Sequence, residues 1–161
     1  MAAIHLAAVS VAYRPFFPGR PAPTTAELDE EWTAALADPT ATALLAVVGG
    51  HPVGSVLIRA DQQFPGGELH GLHVLPAKWG HGIGTALHDG ALELLTAAGY
   101  DMAWLWVLAA NDRARRMYER RGWTARPGIA QDYLGARELR YSRPLGHRPR
   151  PRLLRLGTPF S

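Results

Sequence analysis

Apolar positions recur at two different periods along this chain, and the switches between them mark its elements. From Ala3 to Phe17, the residues Ile4, Leu6 to Ala8, Val11 and Tyr13 fall in a short helical pattern that Pro15 stops. Residues 18–24 carry three prolines and a glycine and predict a loop. Thr24 and Glu27 have the spacing of a capping box, and Leu28, Trp32, Ala35 and Leu36 lie along one side of the helix it opens, which ends at Asp38-Pro39. Between residues 42 and 60, two apolar runs flank Gly49-Gly50-His51-Pro52, a hairpin signal. Gly66-Gly67 leads into a further strand, Glu68 to Leu75. A helix follows from Ile83, with Ile83, Leu87, Ala91, Leu94, Leu95 and Ala98 as its core-facing stripe and Gly99 as its stop. Asp101 to Ala109 is short and dense in large apolar residues, so a strand parallel to Glu68–Leu75, joined to it by the crossover helix, is the economical arrangement. Asn111-Asp112 caps a helix through Arg121 with Gly122 as its terminator, and Trp123–Arg126 and Arg137–Arg143 predict two closing strands.

Composition narrows the class. A chain of 161 residues suits one domain with a sizeable core, and 47% apolar with 19% charged residues is ordinary for a globular protein. The absence of cysteine excludes disulfides and thiolate metal sites, and it fits a cytoplasmic location. No apolar run approaches the length of a membrane span, and the opening residues lack the basic region of a signal peptide, so no membrane association is expected. Seven histidines are scattered without H-E-x-x-H or similar spacing, so no metal is expected. The net charge of +3 favours an anionic ligand. No internal repeat marks a second domain: residues 1–145 form one domain, and the Pro- and Arg-rich residues 146–161 predict a mobile tail. Nucleic-acid binding through that tail is the alternative, but no reader motif accompanies it.

The candidate chemistry begins at Leu72 to Leu87, L-H-V-L-P-A-K-W-G-H-G-I-G-T-A-L. An alternating strand stops at Pro76, glycines follow at Gly80, Gly82 and Gly84, and the helix starts at Ile83. The unpaired N–H groups and partial positive charge of a helix start favour an anion, typically a phosphate. A dinucleotide fingerprint from Gly82 would need glycine in place of Leu87, and from Gly80 in place of Thr85. A triphosphate loop would need its lysine after the glycines, whereas Lys78 precedes them. A glycine-rich turn with no ligand is the bland alternative. The stretch V-L-P-A-K-W-G-H-G-I-G-T-A-L resembles the acetyl-CoA pyrophosphate loop of the GCN5-related N-acetyltransferase (GNAT) family. The second motif, Asn111 to Trp123, resembles that family's N-x-x-A-x-x-x-Y-E-x-x-G-[FW], with Ala114, Tyr118, Glu119 and Gly122 in register. Glu138 to Tyr141, E-L-R-Y, is similar to the last strand of many members.

The resemblance implies a GNAT-like α/β acyl-CoA N-acyltransferase fold, a mixed and mostly antiparallel sheet flanked by helices. It implies acetyl transfer from acetyl-CoA, as co-substrate, to a primary amine of a small molecule or peptide by direct attack in a ternary complex. A CoA-binding regulatory or resistance module without turnover is the alternative. Carried onto this chain, the backbone at Leu72, His73 and Val74 pairs with the pantetheine arm, and Trp79, Gly80, His81, Gly82, Ile83, Gly84 and Thr85 hold the pyrophosphate. Asn111 contacts the cofactor arm, and Tyr118 protonates the leaving thiolate. Glu68 stands where some members carry a glutamate base. By strand alternation His70 shares its face and ranks behind it for the role, while His73 points the other way; a water chain needing neither is the third alternative. Tyr13, Phe16, Phe17 and Trp32 are candidate acceptor contacts, as are Trp104 and Trp106; core packing explains Trp32 and the latter pair equally well. Arg115, Arg116, Arg120 and Arg121 are candidates for the 3′-phosphate or simply a solvated helix face. The acceptor class stays open among amino acids, polyamines, aminoglycosides, small toxic amines and protein N-termini.

Two departures from the family pattern stand out. Trp79 sits where arginine or glutamine is usual, so one polar contact to the phosphates is missing. The family's opening strand is missing from the pattern, either because the start lies upstream or because the strand is absent. In the second case the strand near Ala43–Val48 becomes an exposed edge that favours a homodimer or marginal solubility.

Overall fold

The computed structural model describes residues 1–146, so residues 147–161 of the expected tail lie outside the described residues. Helix α1 spans Ala2–Ala12 and α2 spans Thr25–Leu36. The capping box forms as the spacing predicts: Thr24 Oγ1 accepts from the Glu27 N–H at 3.2 Å, and Glu27 Oε2 accepts from the Thr24 N–H at 2.7 Å. Six strands follow: β1 Thr42–Val48, β2 His51–Ala60, β3 Gly67–Val74, β4 Met102–Leu108, β5 Thr124–Tyr133 and β6 Ala136–Pro144. Helix α3, Ile83–Ala97, crosses from β3 to β4, and α4, Asp112–Glu119, follows β4.

The strands form one sheet in the order β1-β2-β3-β4-β6-β5, antiparallel throughout except between β3 and β4. On one face, Val56, Ile58, Leu69, Leu105 and Val107 pack with Leu87, Ala91 and Leu95 of α3, and Tyr118 and Trp123 join this core. On the other face, Leu57 packs with Ala2, Leu28 and Trp32 of the first two helices. The α3 stripe is shifted slightly from its predicted position: Ala98 is exposed, while His88 and Leu92 are buried. His88 belongs inside because its Nε2 accepts the Trp123 indole N–H at 2.9 Å. Among the described residues no helix is long and apolar enough to cross a membrane.

Two strand features differ from the sequence pattern. β5 continues through Pro127-Gly128, which resemble a loop, because a register shift between Ala125 and Ala130 absorbs them. β3 carries a bulge: Ser55 pairs with His73 and Leu57 with His70, so three steps on β3 face two on β2. Gly71, at φ +59°, is inside the extra step. The bulge reverses the alternation, and His73 therefore lies on the same face as His70, against α1 and α2 rather than away from them. Finally, β1 is an edge strand as expected, with Leu45, Val47 and Val48 exposed along it.

Candidate active site

The parallel pairing of β3 with β4 is confined to Gly67 with Ala103 and Glu68 with Trp104. Beyond those two pairs the strands diverge, and Leu72, His73 and Val74 on one side face Trp106, Val107 and Leu108 on the other across a cleft of about 840 Å³. Unpaired backbone along diverging strands offers hydrogen bonds to an extended ligand. The glycine turn closes one end of this cleft. Gly80 and Gly82 have φ of +80° and +78°, a conformation that L side chains rarely adopt, and Gly82 caps α3. A Cβ at either would meet nothing within 4 Å, so the glycines set the path of the turn rather than clear space for a neighbour. Ile83, Gly84 and Thr85 of the first helical turn also line the cleft, whereas His81 is exposed and its Nδ1 lies 2.9 Å from the Trp79 carbonyl.

Trp79 is not idle. Its indole N–H donates to the Val74 carbonyl at 2.8 Å, which removes that acceptor from the free strand edge. The Arg113 guanidinium lies over its ring, 4.7 Å from the centroid. Arg113 has no ion pair or hydrogen bond among the described residues and lines the cleft beside the turn. The sequence reading missed it among the arginines of α4. Of those it singled out, Arg115 is held by the Tyr141 hydroxyl, the Ala109 carbonyl and two carboxylates. Arg121 donates to Thr85 Oγ1 at 2.6 Å, in the first turn of α3. The Asn111 carboxamide oxygen accepts from the Ala114 N–H at 3.1 Å as the cap of α4, and Asn111 also lines the cleft.

Tyr118 of α4 is 8% exposed and lines the cleft, with no hydrogen bond from its hydroxyl among the described residues. Burial pushes its pKa up to about 12, so the phenol holds its proton at neutral pH. Glu68 and His70 meet in the same cleft, His70 Nδ1 lying 3.7 Å from Glu68 Oε1. Arg59 Nε donates to Glu68 Oε2 at 2.7 Å. Burial alone would raise the Glu68 pKa, but His70 and Arg59 outweigh it and hold the carboxyl below its usual range. His73 stacks on His5 of α1 with ring centroids 3.9 Å apart.

Further along, the buried Arg140 guanidinium is ion-paired with Asp61 and packed over the rings of Phe64, Trp104 and Trp106, the last at 4.8 Å. Trp106 thereby lines the cleft, while the Trp104 indole donates to the Pro65 carbonyl and packs on Phe64. Tyr13 lines the cleft and Phe17 packs on Tyr133 of β5. Trp32 is buried beside His70 and His73, so its role is packing. The Asp61–Arg140 pair had no signal in a linear reading, since its partners lie 79 residues apart, and Glu138 and Arg140 enter it only as part of the last-strand pattern.

Comparison with known proteins agrees with this architecture. The profile of the Acetyltransferase (GNAT) family matches residues 6–123. A mycothiol acetyltransferase of Beutenbergia cavernae is 47% identical over 58 residues, which are 36% of this chain and 20% of that relative's length. The crystal structure of nourseothricin acetyltransferase superposes with a TM-score of 0.58 at 28% identity, covering 68% of each chain. That of an aminoglycoside 6′-N-acetyltransferase complexed with coenzyme A has a TM-score of 0.62 at 18% identity, covering 88% of this chain and 91% of the other.

Proposed function

Because the chain belongs to the GNAT acetyltransferase family, we propose that it transfers an acetyl group from acetyl-CoA to a primary amine by direct attack in a ternary complex. The observation that carries this reading is Tyr118, a largely buried side chain with an unpartnered hydroxyl lining the cleft that opens between β3 and β4 and ends at the glycine turn. The coenzyme A bound by the aminoglycoside acetyltransferase of similar fold supports the same cofactor here.

Acetyl-CoA, when bound, supplies the activated acyl group as a thioester. The residues at hand fit it: the α3 N-terminus and the turn from Trp79 to Thr85 would hold the pyrophosphate, and Arg113 adds the charge that Trp79 lacks. The backbone of Leu72 and His73 would take the pantetheine arm, with the Val74 carbonyl already used by Trp79. As the amine nitrogen bonds to the acyl carbon and the C–S bond breaks, Tyr118 donates a hydrogen bond to the sulfur. Its pKa of about 12 lies several pH units above that of an ordinary thiol, so a hydrogen bond precedes any complete proton transfer. His70 is the better base for the amine proton. Glu68 is a weak proton acceptor while Arg59 holds it, and its place is to orient the His70 ring through Nδ1.

Calorimetry with acetyl-CoA and a thiol-release assay over an amine panel test the proposal. Tyr118→Phe is expected to lower kcat at least about tenfold with acetyl-CoA affinity retained. No heat with the wild-type chain at high-micromolar acetyl-CoA would sink the cofactor assignment, and an unchanged rate in the variant at every pH would remove Tyr118 from the chemistry.

A further inference from the structure

The cleft is charged unevenly along its length. Its glycine-turn end carries Lys78 and Arg113, while its far end carries four carboxylates, Glu31, Asp61, Glu68 and Glu138, against two arginines. Both arginines are already used. Arg59 Nε holds Glu68 at 2.7 Å, and Arg140 is paired with Asp61 and reaches Glu68 at 4.0 Å. Glu31 and Glu138 are left with no cationic side chain paired to them among the described residues. Glu138 is half-buried and its single hydrogen bond is from Gln131 Nε2 at 2.8 Å, an uncharged donor. Burial raises its carboxyl pKa, against smaller opposing effects of Gln131 and His70, as befits an anion that lacks a counter-charge.

The two carboxylates share aromatic neighbours. Glu138 pairs with Gln131 across β6 and β5, two positions from Tyr133, and Phe17 packs on both Tyr13 and Tyr133. Burial, and with it Glu31 and Glu138, raise the pKa of Tyr13 and of Tyr133, against an opposing effect of Arg20 at Tyr133. Phe17 closes against Tyr133 edge-on at 6.2 Å. Tyr118, more than nine-tenths buried and with its hydroxyl unpartnered in the same cleft, also acts on Tyr13. One tyrosine at the end of α1 thus joins the group assigned to the leaving sulfur to the two unpaired carboxylates. A carboxylate or phosphate entering this end would meet like charge in a partly desolvated space, whereas an ammonium would meet carboxylates and the faces of phenol rings.

Resting on the acetyl-transfer reading, we propose that the acceptor is polycationic: besides the amine that is acetylated it carries a second ammonium group, held by Glu138 with Glu31 and the Tyr13 and Tyr133 rings. An aliphatic diamine or polyamine and a polyaminated sugar share this chemistry.

The test titrates putrescine, butylamine and γ-aminobutyrate into the chain by calorimetry, which needs no turnover, and then compares their kcat/KM with saturating acetyl-CoA. Putrescine is expected to bind and react about tenfold or more better than butylamine, with γ-aminobutyrate the poorest of the three. Glu138→Gln is expected to raise the KM for putrescine about tenfold with kcat little altered, collapsing the preference over butylamine, while Glu138→Asp keeps part of it. Thermal melts of both variants show that they are folded. Spermidine and kanamycin arms decide between the slender and the sugar-borne source. Equal affinity for putrescine and butylamine, or a preference that survives Glu138→Gln, overturns the proposal even if acetyl transfer stands. If acetyl-CoA does not bind or no amine is acetylated, the acetyl-transfer reading fails instead, and the cation titrations still decide the subsite.

Discussion

On the proposed reading, Arg113 and Trp79 would divide between two residues a task that the family pattern gives to one. The indole takes the place of a polar side chain beside the turn, spends its N–H on Val74, and offers its face to a guanidinium from α4. A cation stacked on a ring loses less freedom on meeting a phosphate than one on a mobile stem, and this one has no carboxylate to leave. Arg113→Ala is therefore expected to weaken acetyl-CoA binding about tenfold at low ionic strength, and less as salt screens the pair. Calorimetry at two salt concentrations reads this directly. Acetyl-pantetheine, which lacks the nucleotide phosphates, should be indifferent to the substitution. Equal affinity of variant and wild type for acetyl-CoA would return the pyrophosphate to the backbone turn alone.

Among the elements, β3 decides most about the site and conceals most from a linear reading. Its bulge brings His70 and His73 to one face, and a strict two-residue alternation had separated them. Gly71 supports the bulge twice over. Its φ of +59° disfavours other residues, and a Cβ there would stand 2.9 Å from Trp32 Cη2. Gly71→Ala is expected to destabilise the fold by about 2 to 4 kcal/mol. A melting temperature lower by roughly 5–15 °C would show it, whereas an unshifted melt would mean that the bulge relaxes without strain. The elements whose cues are local were legible beforehand: the Thr24–Glu27 cap, the hairpin at Gly49-Gly50, the α3 stripe bounded by Gly82 and Gly99, and the α4 cap at Asn111. The glycine turn and Tyr118 were legible because a motif fixes their spacing. The bulge in β3, the passage of β5 through Pro127-Gly128, and the Asp61–Arg140 pair were not, because each is settled by a partner strand or side chain distant in sequence.

At the scale of the whole molecule, the layer of α1 and α2 is fastened to the sheet partly through histidines that must stay neutral. His5 of α1 stacks on His73 of β3, with Trp32 of α2 edge-on to both and His70 close by. Glu68, Arg59 and Arg140 lie beyond His70 on the same face. Burial, and then the charge of His70, pull His5 down to about 4, while burial and the other two histidines hold His73 well below its usual value. Both folded-state values lie below the unfolded value of about 6.5, so the unfolded chain binds more protons at mildly acid pH. Their contribution is whole above about pH 6.5 and is lost as pH falls toward 4. Glu68, also held low, acts in the same direction at more acid pH, while the raised carboxyl of Glu138 opposes it. For His5 alone the loss at pH 5 is about 2 kcal/mol. The melting temperature is therefore expected to fall between pH 7 and pH 5, and the fall should shrink in His5→Gln and His73→Gln even though both variants start from a lower melt at pH 7. A flat profile across that range, or an undiminished fall in both variants, would assign acid sensitivity to the carboxylates and leave the stacked histidines as packing alone.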